Sequence, residues 1–134
     1  MANTIYPKYK EALITGSSNI SLSSGTVKVS LIDTADYTYS ATHDFLDDVA
    51  GAAIVSTATL FGKTVTSGVF DSSDPSFTSV TGDICEAIIM YIDTGVSSTS
   101  KLVAYFDSSI TGLPVTPNGV DINIAVHSSG WFAL

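Results

Sequence analysis

His43 and Asp44, followed by Asp47 and Asp48, bring an imidazole and three carboxylates within six residues. That spacing suits either a metal cluster or a general base with its orienting acid. The same acids also suit the first turn of a short helical segment, where they offset the helix dipole, and that is the expected role. Asp71-Ser72-Ser73-Asp74 offers oxygen ligands for a hard cation but lacks the acid spacing and closing glutamate of a calcium loop. A turn closed by aspartate side-chain hydrogen bonds is expected there. Cys85 is the only thiol, and His43 and His127 are the only imidazoles available to activate it. It opens an apolar run with no activating motif, so inert packing is expected. The chain holds no glycine-rich phosphate loop, nucleophile elbow or zinc-ligand spacing. These residues predict no catalytic centre, no bound metal and no cofactor.

The elements around them read mostly as strands. Pro7–Thr15 is a helix candidate, with proline in the first turn and Tyr6, Tyr9 and Leu13 near one face; Gly16 ends it. Thr26–Asp33 alternates, placing Val27, Val29 and Leu31 inward and Lys28 and Ser30 outward. His43–Ala50 is a helical turn capped by Thr42 or Asp44. Ile54–Thr59, Lys63–Phe70 and Ser76–Thr81 follow as short strands. The run from Ile84 to Asp107 holds two strands that are apolar on both alternating faces. Such strands must be covered on both sides, either by this chain or by a neighbour. Val120–His127 alternates again, and Gly130–Leu134 ends the chain as an apolar tail. About eight short strands between turn signals predict an all-β fold: an antiparallel β-sandwich or barrel with a short N-terminal helix. The chain is expected to be a single β domain over 1–134, with 1–18 as an N-terminal arm and helix.

Charge narrows the partners. Thirteen acids stand against five lysines and no arginine, a net charge of −8. A phosphate-binding surface is built from Lys and Arg, so no nucleic acid is expected as a partner. An anionic membrane surface repels such a chain, and no apolar run approaches the roughly 20 residues of a membrane span, so no membrane partner is expected. Residues 1–10 hold no basic segment followed by an apolar one, and no secretory signal is expected. Serine and threonine supply 36 of the 134 residues, neutral hydroxyls that suit exposed strand faces.

Tyr6-Pro7-Lys8-Tyr9-Lys10-Glu11-Ala12-Leu13, Gly25-Thr26-Val27-Lys28-Val29-Ser30-Leu31-Ile32-Asp33 and Tyr39-Ser40-Ala41-Thr42-His43-Asp44-Phe45 stand in that order. Gly62-Lys63-Thr64-Val65-Thr66, Tyr91-Ile92-Asp93-Thr94-Gly95 and Gly112-Leu113-Pro114-Val115-Thr116-Pro117-Asn118-Gly119 follow. Across nearly its whole length the chain resembles a group of small virion structural proteins of tailed bacteriophages. Members of that group often end in a strand with Trp and Asp-Asn-Gly, and Ala125–Gly130 departs from it. The resemblance implies a particle component without catalytic activity, made in the host cytoplasm and located in the virion. The role it implies first is that of a capsid decoration, or cement, protein that stabilises the shell by protein–protein contacts. The implied partners are the major capsid protein or other virion proteins, with self-association as a homo-oligomer, a trimer above all. On that reading Ile5, Tyr6, Tyr9, Trp131 and Phe132 are the contact residues. A tail-tube, tail-tip or fibre-associated subunit is the alternative. A carbohydrate-binding β-sandwich module, with Tyr37 and Tyr39 beside Asp36, is the second.

Overall fold

The doubly apolar run folds as the middle of the largest sheet. A computed structural model describes residues 3–108 and 110–134. In chain order its elements are β1 (Thr4–Ile5), α1 (Pro7–Thr15), β2 (Thr26–Ile32), β3 (Ile54–Thr59), β4 (Thr64–Thr66) and β5 (Val69–Asp71). Then come β6 (Ser76–Phe77), β7 (Ala87–Asp93), β8 (Lys101–Phe106), β9 (Ile122–Asn123) and β10 (Phe132–Ala133). A five-stranded sheet runs β1-β8-β7-β2-β3, a three-stranded sheet runs β10-β5-β4, and β6 pairs with β9. Every pairing is antiparallel, which gives the expected all-β class with one short helix. Met1 and Ala2, the start of the expected arm, lie outside the described residues.

Both faces of β7 and β8 are covered within this one chain. Ile88, Ile89, Met90, Leu102, Val103 and Ala104 have no exposed surface. Successive strand residues point to opposite faces, so Tyr105 and Phe106 report on the two coverings. Tyr105 meets the rings of Tyr37 and Tyr39, at 6.2 and 5.5 Å. Phe106 meets Trp131 at 5.3 Å. The outer edge of β8 is also closed. Near its start, Leu102 N–H donates to the Asp44 carbonyl and Leu46 N–H to the Ser100 carbonyl. Near its end β1 pairs with it, Thr4 opposite Tyr105.

The helix ends as its sequence predicts. Gly16 sits at φ 68°, and its N–H bonds back to the Ala12 carbonyl. The buried face is Tyr9 and Ala12, while Leu13 is exposed, so the apolar stripe is one residue off the expected one. Three further expectations change. Ser30 is fully buried rather than outward, because β3 covers it and its hydroxyl bonds Thr57 Oγ1 at 2.7 Å. The single strand expected over Lys63–Phe70 is a hairpin, β4–β5. Its two-residue loop, Ser67-Gly68, holds φ of 53° and 80°, the left-handed pair a tight primed turn requires. The expected turn at His43–Ala50 is 3-10 at Leu46–Asp48, and no threonine caps it.

Candidate functional site

The residues with chemical potential are spoken for one by one. Asp48 turns its carboxylate onto the Asp44 and Phe45 N–H groups, at 2.8 and 3.4 Å. The first of those bonds holds its pKa below the usual carboxylate range. His43 Nδ1 is 2.8 Å from the Tyr37 hydroxyl, which is itself 2.7 Å from the Tyr6 hydroxyl. His127 Nδ1 accepts from Ser129 N–H in the C-terminal tail. Cys85 is fully buried, its backbone pairs with Val115, and its thiol donates to the Asp83 carbonyl at 3.5 Å. Burial first, then the Glu86, Asp33 and Asp83 carboxylates, push its thiol up to about 11, far from a thiolate at neutral pH. In place of the expected turn, the Asp71–Asp74 segment leaves β5 as irregular loop, with Asp71 Oδ1 accepting from the adjacent Ser72 N–H at 2.8 Å, and it anchors the tail. Trp131 Nε1 donates to Ser72 Oγ, and Val126 N–H to Asp74 Oδ1, each at 2.8 Å.

Folding does gather acids that their sequence positions keep apart. Asp33, Asp36 and Asp83 bring carboxylate oxygens within 4.8 Å of one another. Asp33 already accepts from Ala35 N–H at 2.9 Å, a local turn bond. Asp36 and Asp83 are exposed.

The feature with the best geometry for function is a seam between the chain ends. Tyr6 and Tyr9, two of the five expected contact residues, are in the chain's own core. Tyr6 N–H bonds the Val103 carbonyl and Tyr9 Oη the Ile20 carbonyl, so neither is free to touch a partner. The other three come together: Ile5, Trp131 and Phe132 line one cavity of about 330 Å³ with Lys10 at its rim. A second cavity of about 360 Å³ shares Phe106, Trp131 and Phe132 and continues along the tail. Trp131 is the buried floor, while Ile5 and Phe132 are half-buried. On one side β1 is the outer strand of the large sheet, and on the other β10 is the outer strand of the small one. The position is fixed on both sides. Asn3 Oδ1 accepts from Asp107 and Ser108 N–H, and Asn3 Nδ2 donates to the Ser108 carbonyl. Phe132 stacks on Phe70 at 5.7 Å, and Trp131 N–H bonds the Phe70 carbonyl. The sequence names the three residues of the seam, but their meeting depends on the β10–β5 pairing, which spans some 60 residues and leaves no local signal.

Among the described residues no helix is long and apolar enough to cross a membrane. No protein-family model matches this chain, and a search of curated proteins found no match.

Proposed function

We propose that this protein is a structural component of a bacteriophage particle, a capsid decoration protein that braces the shell through protein–protein contacts. The observation that carries the reading is the seam. Two outer strands flank a cleft of mixed lining in which Ile5 and Phe132 remain half-exposed. An extended segment of a shell protein laid there would gain main-chain hydrogen bonds from an edge and burial from the two side chains. The whole-chain resemblance to small virion proteins supports the same reading, as does a strongly acidic surface that packaged DNA would repel. Self-association as a trimer belongs to the proposal, with the seam as the shared contact. Burial of the β7–β8 faces is no argument for it, because the chain covers those faces itself.

Light scattering over a wide concentration range, with Phe132→Ser and Ile5→Ser beside the native chain, tests the reading. A mass near three times the 14.0 kDa chain, lost in either variant, and recovery of the protein with the heads of purified particles are the expected results. Rings of six or more that co-purify with tails would support a tail subunit instead. A monomer at every concentration that is also missing from purified particles overturns the proposal.

A further inference from the structure

Thirteen acids stand against five lysines in this chain, yet among the described residues no acid lines the seam. The ionisable side chains at its two cavities are Lys10 in one and His127 in the other. Elsewhere the clefts are acidic. Asp93 lines the one beside the end of β7, and Glu86 and Asp107 line those on the Tyr105 face.

Both seam side chains are donors. Lys8 pairs with Glu11 and Lys28 with Asp93, while Lys63 reaches the Gly25 carbonyl and Lys101 lies over the Phe45 ring at 4.5 Å. Lys10 is exposed and has no such partner among the described residues. His127 Nδ1 accepts from Ser129 N–H at 3.0 Å, which puts the hydrogen of the neutral ring on Nε2 as a donor.

We propose that the seam takes an extended acidic segment of another protein, laid as a strand along β1 with a carboxylate on Lys10. The inference rests on the reading of the seam as the partner contact and narrows the partner. In strand addition the main-chain bonds are open to any sequence, so side chains must supply the selectivity. Half-buried Ile5 and Phe132 select apolar side chains at alternate positions, and Lys10 selects an acid. A second copy of this chain has no such segment to offer. Among the described residues no strand at a sheet edge holds an acid, Ile54–Thr59 and Thr64–Thr66 included, and Lys63 precedes the latter. The net charge of −8 repels an anionic segment at long range. Salt at about 0.15 M screens charges beyond about 8 Å, which leaves the lining cation to decide.

Trp131, the only tryptophan of the chain, forms the floor and reports the test. The full chain is titrated at about 0.15 M salt with blocked heptapeptides of alternating threonine and valine, their central residue being glutamate, glutamine or lysine. Expected is a saturable change in Trp131 fluorescence, with the glutamate peptide bound about threefold tighter than the glutamine peptide and the lysine peptide weakest. Lys10→Glu, at an exposed helix position, should reverse that order, and Phe132→Ser should weaken all three. Equal affinities, or an order that survives Lys10→Glu, overturn the acidic segment and leave the seam as a contact. Binding that Phe132→Ser leaves unchanged lies elsewhere and also overturns it. No change with any peptide, in a chain that light scattering shows to be monomeric, overturns the seam as well. If the chain is an oligomer whose mass and Trp131 signal no peptide alters, a second copy fills the seam and the proposal falls.

Discussion

Tyr6, Tyr37 and His43 form a chain of hydrogen bonds whose middle member should matter more than its end. Tyr6 is fully buried and its hydroxyl has one partner, the Tyr37 hydroxyl at 2.7 Å. Tyr37 has two, Tyr6 and His43 Nδ1 at 2.8 Å. Tyr6→Phe removes one hydroxyl and strands nothing, because Tyr37 keeps His43. The expected loss is about 1 kcal/mol, the net worth of one ordinary hydrogen bond. Tyr37→Phe removes both bonds and leaves the Tyr6 hydroxyl buried without a partner. An orphaned buried polar group adds about 1–3 kcal/mol, so a total of about 2–4 kcal/mol is expected. The double variant has no stranded hydroxyl on Tyr6, and half-buried His43 turns to water, so its loss should fall back to about 1–2 kcal/mol. Urea unfolding of the four proteins measures this as a double-mutant cycle. A coupling of about 2–3 kcal/mol, with the double variant more stable than Tyr37→Phe, is the expected result. If the two losses simply add, or if Tyr6→Phe costs as much as Tyr37→Phe, the hydrogen-bond chain is not what stabilises this face.

Burial pushes Tyr9 and Tyr37 up to about 12, so their neutral forms belong to the folded state. Their contribution is complete below the ordinary tyrosine pKa near 10 and is lost as pH rises towards 12, and ultraviolet titration should show tyrosinate appearing late and together with unfolding. Asp93 is held low by its bond to Lys28 at 3.0 Å, so the pair stabilises above the usual carboxylate pKa near 4 and fades as pH falls below it. Asp93→Asn should flatten the acid side of the stability profile by under about 1 kcal/mol, as fits a partly exposed pair. Cys85 should resist thiol reagents in the folded protein at neutral pH and react fully in denaturant. Gly130 sits at φ 92°, and an added Cβ would meet the Phe70 carbonyl and Val69 Cγ1 at 2.8 Å each. Gly130→Ala should therefore undock β10, cost more than about 2 kcal/mol in a denaturation series and open Trp131 to fluorescence quenchers.

What could be read from the sequence was local. Pro7 and Gly16 bracket the helix because each acts through its own backbone angle. Ile54–Thr59 is bounded correctly because its ends change composition. The β4–β5 hairpin was hidden because Ser67-Gly68 makes a primed turn without the Asn-Gly signal, so the flanking strands read as one. Ser30 reads as outward on alternation alone, and only the pairing of β3 alongside explains why it is buried. The tyrosine chain, the acids at 33, 36 and 83 and the seam all join residues far apart in sequence. Periodicity carries no information about such meetings; they follow from which strands become neighbours.

That distinction bears on assembly. A strand pair apolar on both faces invites an interface built on sheet faces, yet here the faces are spent on the chain's own core. On the proposed reading a partner would then use edges, and their side chains differ. β3 presents half-buried residues, while β4 is short and wholly exposed, with Val65 between two threonines. A partner strand on β4 would gain hydrogen bonds but little buried apolar area. At β1 and β10, the edges lie beside Ile5 and Phe132 over the Trp131 floor, so pairing and burial occur at one place. Since burial is the dominant favourable contribution to association, the seam is where a partner gains most per residue ordered.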